Sequence, residues 1–288
     1  MTTLLAYPNV SEGRAPDVIA AVAEAFGPAL LDQHSDPDHH RTAYTLAAGP
    51  GQLSAAVLAG AGEAVRRITI DRHQGVHPRV GAIDVAPIIY TTAADRGAAA
   101  AEALVLADRL AADLELPVFL YGALGGGRTR ADLRRGGPTE LARRLATGEL
   151  RTDFGPSQLH PTAGAVLVAA RPPLIAFNVE LAPPATLAEA QAAAAAIREG
   201  GPDGLPGVRA IGVWLQSRGR AQVSTNIEDP LIITPGDVIA AVERRAPIDA
   251  AELVGLAPEA ALRDFPGRVP LRGRDTIEAA VARRPATD

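Results

Sequence analysis

The chain has 288 residues, with 28 basic against 33 acidic side chains and a formal net charge of -5. It contains neither Cys nor Lys, so every basic residue is Arg, and disulfide, thiolate, zinc–cysteine, Schiff-base and Walker-type phosphate chemistry are excluded. Its negative charge and sparse aromatics (five Phe, four Tyr, one Trp) disfavour nucleic acid as a partner, and no uncharged apolar run reaches about 18 residues, so no membrane span is expected.

The N-terminus lacks the basic and long apolar regions of a signal peptide, which makes the cytoplasm the expected location. Leu4–Pro8 reads as a strand, and Pro16–Phe26 as a helix with Val18, Ile19, Val22 and Phe26 on one face. Ala29–Asp32 and Arg41–Ala47 read as strands around a polar loop, 33–40. Gly51–Arg67 is helical, Ile68–Ile70 a short strand, and 71–79 a second polar loop. A strand at Ala82–Tyr90, a helix at Ala93–Leu114 capped by Thr92 with Asp95, and a strand at Val118–Tyr121 follow. The stretch 122–137 is rich in Gly and Arg, Gly125-Gly126-Gly127 reads as a flexible linker and not a phosphate loop, Thr139–Ala146 as a short helix, and 151–164 as loop.

The second half repeats the theme. Leu174–Leu181 is a strand and Thr186–Glu199 an Ala-rich helix, and Val208–Leu215 pairs with Arg220–Ile227 across Ser217-Arg218-Gly219. Thr234 caps a helix that opens at Pro235 and runs to about Arg245, Glu252–Leu256 closes the unit, and the tail after Pro266 reads as irregular or partly helical. The order predicts an α/β (α+β) protein of two ferredoxin-like βαββαβ-type subdomains, residues 1–172 and 173–288, with a ligand cleft between them.

All six histidines (34, 39, 40, 73, 77 and 160) fall in segments that read as loops. His73 and His77 have the i, i+4 spacing of a metal pair, but Gly75 and Pro78 oppose a helix there, and no metal is expected. His77 is instead a candidate general base, with a reference pKa of about 6.5.

Several segments resemble the formiminotransferase family of glutamate formimidoyltransferases, in order and over nearly the whole chain. They are Pro8-Asn9-Val10-Ser11-Glu12-Gly13, Arg41-Thr42-Ala43-Tyr44-Thr45, and the run from Arg72 through His77-Pro78-Arg79-Val80-Gly81-Ala82-Ile83-Asp84-Val85. The resemblance continues in Pro117–Gly122, Asp153-Phe154-Gly155-Pro156, Ile175–Val179 and Gln222–Asn226. It implies transfer of a formimino group between 5-formiminotetrahydrofolate and L-glutamate, with tetrahydrofolate as co-substrate, no metal, and a likeness to histidine-degrading, one-carbon enzymes. It implies a catalytic base at His77 and a folate-binding segment formed by Gly155, Pro156, Ser157, Gln158, Leu159, His160, Pro161, Thr162, Ala163 and Gly164. A homodimer is the expected assembly, and the chain is expected to lack the cyclodeaminase domain that mammalian members carry.

Both substrates are anions, and only Arg can meet them, which makes Arg41, Arg72 and Arg79 candidates for gripping a carboxylate. Asp84 and Asp153 are candidates for orienting His77 or the amine, and can equally be loop caps. Val76, Ala163, His34 and His40 depart from the family pattern and touch the expected pocket walls. Another one-carbon folate, another amine acceptor and a non-catalytic folate-binding module remain alternatives.

Overall fold

A computed structural model of the chain describes residues 2–283, apart from the side chain of Arg72. The contacts divide it into two compact units, Met1–Pro172 and Pro173–Asp288, each with its own sheet.

The first unit runs β1 (Leu4–Ala6), β2 (Asn9–Val10), α1 (Pro16–Phe26), β3 (Leu30–Asp36), β4 (Arg41–Ala48), α2 (Gln52–Arg67) and β5 (Ile83–Ile89). It continues with α3 (Arg96–Leu114), β6 (Val118–Leu120), α4 (Arg130–Arg134), α5 (Gly137–Ala146) and β7 (Val166–Arg171). β1 and β2 lie between β4 and β5, antiparallel to both, and β3 pairs outside β4. β7 and then β6 extend the sheet in parallel beyond β5. Successive residues of a strand face opposite ways. Val118 and Leu120 of β6 therefore join Phe26, Leu53 and Leu106 of α1–α3, whereas Phe119 joins Leu133 of α4 and Leu141 of α5 on the other face.

The second unit runs β8 (Ile175–Leu181), α6 (Leu187–Ile197), β9 (Val208–Leu215), β10 (Arg220–Ile227), α7 (Pro235–Glu243), β11 (Ile248–Val254), β12 (Leu271–Arg272) and α8 (Ile277–Ala282). Its strands are ordered β12-β11-β8-β10-β9, and Phe177, Val179, Val223 and Leu253 pack on Ile197 and Ile239. Both units thus contain strand–helix–strand–strand–helix–strand; the first adds β2 before α1 and α3, β6, α4, α5 and β7 after β5, and the second adds β12 and α8.

Several expectations are corrected. β3 extends to Asp36, so His34 sits on a strand; among the described residues β3 pairs only with β4, and its polar Gln33, His34 and Ser35 belong to an edge strand that imitates a loop in sequence. Ile68 and Ile70 are buried but form no strand, and the chain turns through a 3-10 turn at Ile70–Arg72. Thr92 bonds Asp95 through side chains at 2.7 Å, yet α3 starts only at Arg96 and no backbone N–H is capped by Thr92. The 122–137 stretch holds α4, started by a Thr129–Asp132 capping box. β7 forms where no element is expected, and the tail, expected to be irregular or partly helical, forms α8 and in addition the short strand β12.

Candidate active site

His77 lies in the loop between α2 and β5, and backbone bonds fix that loop from several sides. Val76 N–H donates to Asp38 O at 3.3 Å, and Arg79 donates to His73 O at 2.5 Å. Ser11 bonds Gly81 O through its hydroxyl and Ala82 O through its N–H. Ala82 N–H reaches Ala163 O at 2.8 Å, and Ala165 N–H reaches Val80 O at 3.0 Å. The loop carrying His77 is therefore laced to the C-terminal end of the segment 155–164. A Cβ on Gly81 would lie 2.0 Å from Ala165 O, and Gly164 adopts φ +72 with its would-be Cβ 2.4 Å from Val80 O. Only glycine allows that close approach.

The Asp84 side chain is fully buried and answers three donors: Val80 N–H at 2.9 Å, Arg41 Nη1 at 2.7 Å and the Arg134 fork on both carboxylate oxygens. Burial would raise its pKa, but Arg134, Arg41 and the Val80 N–H hold it below the usual carboxylate range. Arg41 also donates from Nε to Asn9 Oδ1 at 2.8 Å. Burial pushes its guanidinium down to about 10, so it remains charged at neutral pH.

His77 Nδ1 is 2.8 Å from Arg41 Nη1 and 2.7 Å from Pro78 O. An arginine only donates and a carbonyl only accepts, so the two contacts call for opposite tautomers. With the proton on Nδ1, His77 donates to Pro78 and keeps a lone pair on Nε2, and Arg41 then meets the ring as a neighbouring positive charge and not through a hydrogen bond. Burial, then the charges of Arg41, Arg134 and His39, push the imidazole well below its ordinary pKa. The expectation of a value near 6.5 is corrected: burial and the neighbouring charges favour the neutral ring and hold its pKa well below that value.

His73 does not join His77. Its ring stacks on His40 with centroids 4.1 Å apart, and its Nε2 lies 2.7 Å from His40 O, whereas His77 has His39 at 6.1 Å. Among the described residues no group of three or more His, Asp or Glu could hold a metal ion.

Along the other candidate segment, Gly155, Pro156, Ser157 and Gln158 are exposed and Leu159 is half-buried. His160 closes the loop: its backbone pairs with Gly164, and its Nδ1 accepts from Thr162 N–H at 3.3 Å and Ala163 N–H at 3.0 Å. Pro161 and Thr162 are exposed, and Ala163 and Gly164 are buried. Of the other candidates, Asp153 binds Leu120 N–H at 2.8 Å and Arg128 at 2.5 Å, which ties it to β6. Arg79 is half-buried and braces the His77 loop, while the Arg72 side chain lies outside the described residues. His40, with φ +50, bonds Glu12 at 3.1 Å, Val76 is 44% exposed, and His34 sits half-buried on β3.

Sequence reading missed Arg134. It lies in a Gly- and Arg-rich stretch without an apolar period, although Thr129-x-x-Asp132 is a capping-box signature of a helix start.

Two family matches cover the chain: the formiminotransferase domain, N-terminal subdomain, over residues 3–171, and the formiminotransferase domain over residues 176–266. The chain is 37% identical over 274 residues to a formimidoyltransferase-cyclodeaminase from Sus scrofa, covering 89% of this chain and 50% of that protein. It thus spans about half the length of that relative. It is 34% identical to a glutamate formimidoyltransferase from Streptococcus pyogenes serotype M1, with 89% of both chains covered. A third relative, a glutamate formimidoyltransferase from Thermoplasma acidophilum, is 30% identical over 92% of this chain and 91% of its own.

Proposed function

The chain belongs to the formiminotransferase domain family, and from that premise we propose that it moves a formimino group between 5-formiminotetrahydrofolate and L-glutamate. The observation that carries this reading is a neutral, half-buried imidazole at His77, set among paired arginines and joined by backbone bonds to the end of the 155–164 loop.

Glutamate's α-amine must lose a proton to attack the formimino carbon. His77 Nε2 takes that proton and returns it to the folate nitrogen as the carbon–nitrogen bond breaks, so no net proton is consumed. A general base of this kind contributes about 10²–10⁴ in rate. Tetrahydrofolate is the one-carbon carrier, and Gly155–Gly164 is its segment, exposed at Gly155–Gln158 where backbone can meet an extended ligand. The positive field around Arg41 attracts the carboxylates of both substrates. Arg79 supports the loop, and Asp84 acts on His77 through Arg41. Asp153 has no such route, and its role is to anchor β6. We place the enzyme in the cytoplasm, as a homodimer, in histidine degradation.

The test is turnover of 5-formiminotetrahydrofolate with a panel of amino acids. Release of tetrahydrofolate with L-glutamate above all other acceptors supports the reading. Preference for another amine would reassign the acceptor, and folate binding without turnover would make the protein a binding module.

A further inference from the structure

We propose that Arg134, acting through Asp84 and Arg41, is a positioning residue for His77; this rests on His77 being the base of the transfer described above. The four side chains form one chain of contacts. The Arg134 guanidinium spans both oxygens of Asp84, Nε to Oδ1 at 3.4 Å and Nη2 to Oδ2. Oδ2 also receives Arg41 Nη1, and the same Nη1 stands 2.8 Å from His77 Nδ1. Asp84 is 0% exposed, Arg134 12% and Arg41 16%, so the contacts are withdrawn from the solvent that would screen them.

The arrangement does two things. It fixes the carboxylate in one orientation, because a bidentate fork restricts rotation about the Asp84 side chain. Arg41 then cannot turn away from the imidazole without losing its buried partner. It also leaves two guanidinium charges against one carboxylate, a net positive charge beside His77. The groups acting on His77 are Arg41 from β4, Arg134 from α4, His39 from the β3–β4 turn and the Pro78 carbonyl from its own loop, with Asp84 of β5 behind Arg41 and Arg79 turned to the His73 carbonyl. Arg130 of α4 adds a further charge felt at Arg41. Removing Arg134 therefore takes away one of the positive charges that oppose protonation of the ring.

α4 itself is firmly seated. Thr129 and Asp132 close its first turn, Leu133 is buried beneath the sheet, and Arg144 of α5 donates to Asp132 O at 2.9 Å. Arg134 is thus presented by a fixed element, which suits a residue that sets geometry.

The experiment is an NMR titration of the His77 ring in the full chain, assigned with H77N, for wild type, Arg134→Gln and Arg134→Lys, alongside kcat and the folate KM. Arg134→Gln should raise the His77 titration midpoint by about one pH unit. It should lower kcat by about tenfold or more, with the folate KM within about threefold. Arg134→Lys keeps the charge without the fork, so its titration should stay near wild type while kcat remains reduced. A His77 midpoint unchanged in folded Arg134→Gln overturns the proposal. Should Arg134→Gln fail to fold, Arg134→Lys decides, and wild-type kcat in that variant overturns it. A wild-type protein without transferase activity would defeat the functional reading, while the ring titration would still judge the coupling of Arg134 to His77.

Discussion

Asp84 illustrates why a buried charge is informative at the scale of one residue. A carboxylate without exposed surface survives only when paired, and removing one partner of such a pair costs about 3–5 kcal/mol. Its HPRVGAID context made it legible in sequence, but its partners were not: Arg41 lies 43 residues upstream and Arg134 50 residues downstream, and no local spacing connects them. The pKa of His77 was illegible for the same reason, since the charges that depress it arrive from other elements. The corrected state of His77 changes the expected pH dependence. A base whose pKa is lowered is already unprotonated at pH 6.5, so kcat should hold as pH falls through 6.5 and decline only at clearly lower pH. A pH–rate profile measured down to the edge of acid unfolding checks this, and a limb centred at 6.5 would contradict the electrostatics assigned to Arg41 and Arg134.

At the scale of elements, amphipathic helices and the β9–β10 hairpin were legible because their apolar period is set by their own residues. β7 was not, because Ala165–Ala170 is an apolar run without alternation, as expected of a parallel strand covered on both faces. The candidate loop near His77 was found by motif, whereas its pairing with Ala163–Ala165 depended on two glycines. Replacing Gly164 with Ala puts a side chain at φ +72 and against Val80 O, and should weaken folate binding by about tenfold or more while destabilising the loop. Isothermal titration with folinic acid would read it, and unchanged affinity would separate the 155–164 loop from folate. A second device lies away from the site. Glu102 of α3 is buried and accepts from Gly51 N–H and Ser54 N–H, capping α2 from a neighbouring helix. Glu102→Ala leaves those donors unmet and should cost about 2–3 kcal/mol in urea unfolding, with kcat unchanged.

For the whole molecule, two depressed histidines couple protonation to folding. Burial holds His73 down to about 4, and His77 is also well below its ordinary value, whereas the unfolded imidazole titrates near 6.5. Between these values the unfolded chain binds more protons, so stability is present above pH 6.5 and is lost as pH falls towards 4. His73 contributes about 1.4 kcal/mol per pH unit in that window, and His77 acts in the same direction. Urea unfolding at pH 7 and pH 5 should show that loss, and His73→Asn should reduce the slope. The repeat of strand–helix–strand–strand–helix–strand was legible in part, because each half carries its own hydrophobic pattern, but the strand expected at Ile68–Ile70 is absent and β5 closes the first copy instead; the candidate residues were legible where they cluster in one loop. In the proposed mechanism His77 moves the proton while the 155–164 loop holds the folate. The direct test is kcat for formimino transfer to glutamate, measured with the folate dissociation constant, in wild type and His77→Ala. The account predicts a kcat lower by about 10²–10⁴ with affinity changed by less than about tenfold. Near-normal kcat, or loss of folate binding with the rate of the bound enzyme intact, would contradict it.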